Sequence, residues 1–405
     1  MINIAVAQSG GPTCAINSSL AGVYIEAKKQ PEINEIYGFR NGIEGIIEDN
    51  FINLKEKLLN EYDVNLLKLT PSTALGSCRV KLPLSEQNEQ IYEVIVANLE
   101  KHNIGAFFYI GGNDSMDTVA KLSKYLKAKG KDIKVVGIPK TIDNDVMATD
   151  HTPGFGSAAK YIATTMQEII RDSEVYCLDS VTIVEVMGRD AGWLTASSGV
   201  LRANGEIAPH LIYLPEVPFS ISKFVEDVIN IQKVHKAVVV AVSEGLRHEN
   251  GDYVASGYMS GAIDVFGHQY LAGLGKFLEN IVKEKIGCKV RSIELNVMQR
   301  CGSHISSKAD IDEACEIGGA AVKAALTGVS GKMMVFKRTS NSPYTIEIQA
   351  ENIESIANND KCFPTEWINA TKNGITDEAV EYFLPLINGE MEIQMKNGLP
   401  VHFKF

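Results

Sequence analysis

Short apolar runs alternate with longer, polar-faced segments along most of the chain, and this pattern predicts alternating strands and helices. The clearest strands are INIAVAQ at 2–8, GAFFYI at 105–110 and KAVVVAVSEG at 236–245. The predicted helices between such runs include 86–102, 116–129, 220–234, about 263–285 and 309–326. This spacing is typical of a parallel, doubly wound sheet, so the pattern predicts an α/β fold.

The length of 405 residues is sufficient for two domains, because single hydrophobic cores seldom grow beyond about 250–300 residues. We therefore expect two Rossmann-like domains, each built on a doubly wound parallel sheet. Residues 341–405 hold polar turns together with FPTEWI and PLINGE, and we expect them to form a C-terminal extension packed on the body.

The composition narrows the class of partner. A net charge of −11 and a pI near 5.3 disfavour a nucleic-acid or membrane partner, although a cleft can still gather Lys and Arg around an anionic substrate. No apolar run approaches the roughly 20 residues needed to cross a bilayer. The seven cysteines are odd in number and lack a CxxC pair, which favours reduced thiols. We expect a soluble, cytoplasmic protein.

Polar side chains follow two predicted strands at the points where those strands end. The stretch VVGIPKTIDND at 135–145 supplies Lys140, Thr141, Asp143 and Asp145, and GGNDS upstream supplies Asn113, Asp114 and Ser115. TIDND alone fits an Asx-rich turn equally well, in which the side chains bond their own backbone. Because open α/β sheets bind ligands at the carboxyl ends of their strands, the two strand ends together favour a site for phosphate and a divalent metal.

Phosphoryl transfer needs charge neutralisation and a base near the attacking hydroxyl, and these residues can supply both. Asp143 is a plausible base, and Lys140 can bind a phosphate as a point charge. Asn113, Asp114 and Asp145 offer the oxygen ligands that Mg²⁺ prefers. The first strand adds a Gly-Gly turn into a helix, which suits an anion but is weak support alone.

Three arginines and a glutamate are candidates for binding a sugar phosphate. Arg189, Arg291 and Arg300 follow apolar strands and precede small residues, which places them at the mouth of the cleft rather than on a helix face. Glu244 ends a strand and can accept from sugar hydroxyls. The plainer alternatives are surface arginines and a carboxylate at a helix N-terminus. GFGSAA at 154–159 matches a dinucleotide fingerprint, but no hydrophobic strand precedes it, which disfavours a nicotinamide site.

The order of several motifs resembles that of phosphofructokinases. These motifs are SGGPTCAINSSL, GSCR, GGNDSMDT, PKTIDND, PGFGSAA, VEVMGRDAGWL, SEG and QR, and the resemblance runs from residue 2 to about 325. Beyond it, SPY, ANND, FPTEWI and YFLPLINGE look like the C-terminal region of one bacterial group of pyrophosphate-dependent enzymes. The resemblance implies reversible phosphoryl transfer from diphosphate to the 1-hydroxyl of fructose 6-phosphate, which gives fructose 1,6-bisphosphate and phosphate.

Two positions distinguish this chain from the family's ATP-dependent members, which commonly carry glycine where it has Asp114 and Lys140. A carboxylate at 114 would repel the α-phosphate of ATP, whereas a lysine at 140 supplies a cation to the shorter diphosphate. The alternatives are an ATP-dependent 6-phosphofructokinase and a catalytically silent sugar-phosphate sensor on the same fold.

The resemblance also implies a role for each matching residue. The residues expected to take part in catalysis are Asp143, Lys140, Asp114 and Thr141. Those expected to bind diphosphate are Gly11, Lys140, Arg79, Asn113 and Ser115. Those expected to bind the sugar phosphate are Thr141, Asp143, Met187, Gly188, Arg189, Glu244, Arg291 and Arg300. Those expected to bind Mg²⁺ are Asn113, Asp114 and Asp145. Asn113 stands where short ATP-dependent enzymes have a magnesium-binding aspartate, so Asp114 and Asp145 are alternative ligands.

The resemblance further implies a division into domains and an oligomer. Residues 1–154 with about 299–355 are expected to form the donor domain, and 155–298 with about 356–405 the sugar-phosphate domain. The expected assembly is a homodimer or homotetramer. Ser180 and Val297 replace an arginine that reaches across a subunit interface and a substrate-site histidine of the short ATP-dependent enzymes, which argues against copying their shared tetrameric site.

Overall fold

The computed structural model describes residues 1–256, 273–353 and 360–405. Its strands are β1 Ile2–Gln8, β2 Ile33–Phe39, β3 Phe51–Asn53, β4 Ile104–Gly111, β5 Lys134–Pro139, β6 Ser180–Val186, β7 Leu211–Tyr213, β8 Ala237–Ser243, β9 Lys289–Glu294, β10 Lys332–Asn341, β11 Tyr344–Asn352, β12 Met395–Lys396 and β13 Leu399–Pro400. Its α-helices are α1 Ile16–Lys29, α2 Gly42–Ile47, α3 Leu54–Lys57, α4 Glu61–Leu69, α5 Glu89–Lys101, α6 Asn113–Ala128, α7 Phe155–Ser173, α8 Trp193–Ser197, α9 Ile221–Gln232, α10 Leu274–Lys285, α11 Met298–Cys301, α12 Lys308–Leu326 and α13 Asp377–Phe383.

Two large sheets carry all of the described strands except β12 and β13, which pair with each other as a short antiparallel hairpin. The larger has the order β11-β10-β5-β4-β1-β2-β3, and the smaller has the order β7-β8-β6-β9. The smaller sheet is parallel throughout, and so are the five central strands of the larger one. Strands β4 and β8 are buried almost along their whole length, as expected for parallel strands covered on both faces. The predicted α/β fold with two doubly wound sheets is confirmed.

The edges of the larger sheet differ from the prediction. Strands β3 and β11 pair antiparallel with their neighbours, which makes the sheet mixed. Tyr344–Asn352 was expected to belong to the polar turns of the C-terminal extension, and this was wrong. Its residues alternate between exposed and half-buried, as an edge strand with one solvated face requires.

The C-terminal extension packs on the body as predicted. Its aromatic side chains Phe363, Tyr382 and Phe383 are buried in one cluster with Trp193 from the smaller-sheet region. The Trp193 and Phe363 rings meet edge to face at a centroid distance of 5.1 Å. Such pairs stabilise beyond simple area burial. The extension is therefore part of the core around the smaller sheet.

Three predictions fall partly outside the described residues. They are the first part of the helix expected at about 263–285, the first three residues of ANND, and the domain boundary between 355 and 356. The division of the chain into domains stays a prediction. Among the described helices we find none that combines the length and the apolar character of a membrane span.

The contact between α1 and α12 gives a test of the packing. A Cβ added at Gly318 would lie 2.2 Å from the Ser19 carbonyl oxygen, whereas one at Gly319 would first meet Glu26 Cβ at 3.5 Å. We expect Gly318→Ala to lower the free energy of unfolding by about 1–3 kcal/mol through overpacking. The matched control Gly319→Ala should raise it by up to about 1 kcal/mol, because alanine is the better helix former. Equal effects in denaturant unfolding would contradict this packing.

Candidate active site

A cleft of about 520 Å³ lies at the carboxyl ends of strands from both sheets. Residues that follow β1, β4 and β5 line it on the side of the larger sheet, and residues that follow β6 and β8 line it on the side of the smaller sheet. Because parallel strands bring the segments that follow them to one edge of the sheet, side chains distant in sequence meet here.

Most side chains predicted from the sequence lie in this cleft. Those that line it are Gly11, Arg79, Asn113, Asp114, Ser115, Lys140, Thr141, Asp143, Asp145, Met187, Arg189, Glu244 and Arg300. Gly188 adjoins it and donates its N–H to Glu244 Oε1 over 3.2 Å. We call the part with Gly11 and Lys140 the lysine end, and the part with Arg189 and Glu244 the arginine end.

Arg291 is the exception, and its expected position at the mouth of the cleft is wrong. It is the third residue of β9, where it pairs in register with Thr182 near the start of β6. Its guanidinium instead forms an ion pair with Asp172 at 2.9 Å. The sequence CKVRS was interpreted as a strand end, but the strand continues through Glu294. A role in binding a sugar phosphate stays a prediction for Arg291.

Helix α6 begins three residues earlier than predicted. Asn113, Asp114 and Ser115 therefore form its first turn instead of a loop. The Ser115 hydroxyl oxygen lies 2.5 Å from that of Ser9, which ties this turn to the end of β1. A helix N-terminus presents unpaired backbone N–H groups and favours an anion. This turn and the Gly-Gly turn after β1 thus face the same end of the cleft.

Lys140 is buried at the centre of the lysine end. Its Nζ donates to the Gly11 carbonyl over 2.5 Å. Gly10 has a positive φ of 75°, and a Cβ there would lie 3.2 Å from Nζ, so a larger residue would crowd the ammonium. Burial, with a smaller contribution from Arg300 and Arg79, lowers the pKa of Lys140 to about 7, although Asp143 and Asp145 oppose the shift. An anion in this end would restore the charged form.

Asp143 and Asp145 lie half-buried beyond Lys140. The Asp143 N–H donates to the Thr141 hydroxyl over 3.1 Å, and that hydroxyl lies 3.4 Å from Asp143 Oδ2. Burial raises the pKa of Asp143, while the Thr141 hydroxyl and the Lys140 cation oppose the rise. Burial and the neighbouring Asp143 raise the pKa of Asp145 to about 7. The two carboxylates repel each other, so a cation or a proton stabilises the pair.

The arginine end is held by contacts between the segments after β6 and β8. A Cβ at Gly245 would lie 1.7 Å from the Arg189 carbonyl oxygen, so glycine there lets the two segments touch. The Ser243 hydroxyl donates to the Gly188 carbonyl over 2.6 Å. Burial raises the pKa of Glu244 to about 7, which leaves this carboxyl able to accept or donate near neutral pH.

Three charged residues that line the cleft were not predicted as site residues from the sequence, namely Lys81, Asp190 and Asp360. Lys81 lies 3.5 Å from Asp114 Oδ1, and Asp360 accepts from the Asn113 side-chain N–H₂ over 2.9 Å. Lys81 could have been found as a second cation beside Arg79. Asp360 has no local signal, because no predicted strand precedes it and its partner is 247 positions away.

The dinucleotide fingerprint does not have the structural context it needs. Gly154 caps the start of α7, and residues 146–153 before it form no strand. The nicotinamide alternative therefore gains no support from the fold around GFGSAA.

Comparison with known proteins gives the same family as the motifs. The family model described as "Phosphofructokinase" matches residues 3–325. The pyrophosphate–fructose 6-phosphate 1-phosphotransferase of Methylococcus capsulatus is 39% identical over 401 residues, which cover 98% of this chain and 94% of that protein. The enzyme of the same name from Halomonas elongata is 38% identical over 402 residues, again 98% and 94% of the two chains. The structure of a pyrophosphate-dependent phosphofructokinase from Marinobacter aquaeolei matches with a TM-score of 0.88 and 37% identity, over 100% of this chain and 96% of that one.

Proposed function

The chain belongs to the phosphofructokinase family, and we propose that it transfers a phosphoryl group from diphosphate to the 1-hydroxyl of fructose 6-phosphate. The products are fructose 1,6-bisphosphate and phosphate, and the reaction runs in both directions because the donor is a simple phosphoanhydride. The observation that carries the choice of donor is the buried Lys140 ammonium at the lysine end, against the Gly11 carbonyl.

The lysine end binds diphosphate. Lys140 and Arg79 neutralise its charge, and the N–H groups around Gly11 and the first turn of α6, with Asn113 and Ser115, approach its oxygens. Asp114 disfavours ATP, because its carboxylate repels an additional phosphate at this end. Its ion pair with Lys81 holds it at the cleft.

The arginine end binds fructose 6-phosphate. Arg189 supplies a cation for its phosphate, and Glu244 accepts from sugar hydroxyls beside Met187 and Gly188. Arg300 lies close to Gly11 at the lysine end, and we propose that it contributes a second cation to the sugar phosphate from the donor side. We assign the lysine end to a donor domain of 1–154 with about 299–355, and the arginine end to a domain of 155–298 with about 356–405. We also propose a homodimer or homotetramer that works in the cytoplasm, a compartment that suits its seven free cysteines.

Asp143 is the general base. As the sugar oxygen attacks the nearer phosphorus, the new O–P bond forms, the bridging P–O bond breaks, and the Asp143 carboxylate takes the hydroxyl proton. Thr141 fixes the base through two contacts with Asp143. The Lys140 ammonium stabilises charge on the departing phosphate, which is largely a matter of position and electrostatics.

The residues of the lysine end fit a magnesium ion. Asn113 Oδ1 is buried and has no hydrogen-bond donor within the described residues, so it is an oxygen available to a cation. No three His, Cys, Asp or Glu side chains of the described ranges converge as a metal group, but Mg²⁺ usually takes only one or two carboxylates plus substrate phosphates. Asn113, Asp114 and Asp145 would hold the ion, which when bound neutralises charge on the phosphate oxygens.

The charge state of Lys140 predicts a pH dependence. With its pKa lowered to about 7 in the free enzyme, Lys140 loses its proton as the pH rises, so kcat/KM for diphosphate should fall between pH 7 and 9. Lys140→Arg keeps its charge across this range, because an arginine does not titrate there. Its profile should lack the fall between pH 7 and 9, whatever its overall rate. If kcat/KM for diphosphate still falls between pH 7 and 9 in Lys140→Arg, then diphosphate or another group titrates in that range instead of Lys140.

Phosphorus NMR tests the proposed reaction in both directions. With Mg²⁺, diphosphate and fructose 6-phosphate should give fructose 1,6-bisphosphate and phosphate, and the reverse mixture should regenerate diphosphate. Binding of fructose 6-phosphate without turnover in either direction would support the sensor and sink this proposal. Boiled protein with the same additions serves as the control.

A further inference from the structure

The strip Asp360–Phe363 of the C-terminal extension lies directly on the TIDND segment, although it is outside the residues that the family model matches. The Lys361 N–H donates to the Asp145 carbonyl over 2.7 Å, and Asp360 forms an antiparallel bridge with Val146. The Phe363 N–H donates to Glu216 Oε1 over 2.8 Å. Hydrogen bonds from main-chain N–H groups of the strip thus fix it at both of its ends.

The side chain of Lys361 anchors the strip through three hydrogen bonds. Its ammonium donates to Asn144 Oδ1 over 3.2 Å, to the Thr149 carbonyl over 3.1 Å and to the Asp150 carbonyl over 2.7 Å. Its own carbonyl accepts from Trp193 Nε1 over 2.8 Å. Burial lowers the pKa of Lys361 to about 7, against the opposing charges of Asp150 and Asp145, and in its charged form the lysine makes hydrogen bonds that are among the stronger ones in proteins. The residue before Lys361 therefore has a defined position at the lysine end.

That position brings the Asp360 carboxylate to Asn113. Asp360 Oδ1 accepts from Asn113 Nδ2 over 2.9 Å, which uses the N–H₂ group of the amide. The opposite atom, Asn113 Oδ1, is then the buried oxygen without a donor. Asp360 pairs with Val146, the residue after Asp145, and its charge helps to raise the pKa of Asp145. Two carboxylates beside an oriented amide oxygen form a place where a cation is favoured.

We propose that Asp360 is a positioning residue of the diphosphate site, which aims Asn113 Oδ1 at the divalent cation and adds negative charge beside Asp145. This inference rests on the proposed function, because it takes the cation to be the one that accompanies diphosphate. Partners that orient a metal ligand typically change metal affinity about 10–100-fold when removed.

The test measures Mn²⁺ binding by calorimetry in the presence of diphosphate and without sugar phosphate, so that no turnover contributes. Asp360→Asn removes the charge but keeps an acceptor for Asn113, and Asp360→Ala removes both. We expect the Kd for Mn²⁺ to rise about 10-fold or more in Asp360→Asn and further in Asp360→Ala. Glu390→Gln is the matched control, since Glu390 is on the same extension but pairs with Lys160 outside the cleft-lining set.

The result separates this inference from the proposed function. An Asp360→Asn protein with wild-type thermal unfolding and a Kd for Mn²⁺ within twofold of wild type would overturn the inference, as would a wild type that does not bind Mn²⁺ with diphosphate. If the Kd for Mn²⁺ rises about 10-fold or more in Asp360→Asn while the wild-type protein turns over neither donor, the inference would be supported and the proposed reaction would be wrong. The KM for fructose 6-phosphate should not change, because the arginine end is untouched.

Discussion

Asp143→Asn is expected to lower kcat about 10²–10⁴-fold, the range that a general base contributes, with KM for both substrates nearly unchanged. The substitution keeps the size of the side chain and its contact with Thr141 but removes the acceptor for the hydroxyl proton. The protein should fold normally, because burial raises the pKa of Asp143 despite the neighbouring Thr141 and Lys140, so a neutral amide of the same size is tolerated there. Steady-state kinetics in both directions measures the effect.

The control for this prediction is Asp117→Asn. Asp117 is also a buried carboxylate in the same domain region, but it pairs with Lys121 outside the cleft-lining set. Its kcat should stay within a few-fold of wild type. If Asp143→Asn kept kcat within about tenfold of wild type, below the usual contribution of a base, the proton acceptor would have to be another group.

Lys140→Gly should lower kcat/KM for diphosphate about 30-fold to 4,000-fold, because truncating one partner of a buried charge contact costs about 2–5 kcal/mol. Asp114→Gly alone should leave most diphosphate activity and admit some ATP, because it removes the repelling carboxylate. The double variant should combine both effects and change the preferred donor. Parallel kinetics with the two donors measures this preference.

Lys121→Gly is the control for the loss of a lysine, because its partner Asp117 is away from the cleft. It should keep the donor preference of the wild type. A double variant that still used diphosphate at the wild-type rate would show that Lys140 and Asp114 do not choose the donor. The ATP-dependent alternative would then have to be reconsidered.

The polar residues at strand ends were predictable from the sequence, and the fold class predicted that they would lie together in one cleft. Lys140 and Asp143 follow β5, and Glu244 follows β8. Since carboxyl ends of parallel strands share one edge, apolar runs ending in polar residues are enough to place them. The same reasoning misplaced Arg291, because the edge strand β9 continues for three residues beyond it, so the arginine lies within the strand and not at its end.

The contacts of the C-terminal extension were not predictable in this way. The bond between Asn113 and Asp360 joins residues 247 positions apart, and no periodic pattern encodes it. Strand β11 left a readable signal in the alternation of YTIEIQAEN, but its neighbours were interpreted as turns. The early start of α6 follows from Gly112 as the N-cap, a position where glycine is tolerated but carries little sequence signal.

The most direct test of the account is phosphorylation of fructose 6-phosphate by the wild-type protein with Mg²⁺, run in parallel with diphosphate and with ATP. We expect turnover with diphosphate and none with ATP above the rate without a donor, because Lys140 binds the short donor and Asp114 repels the longer one. Turnover with ATP and none with diphosphate would contradict it.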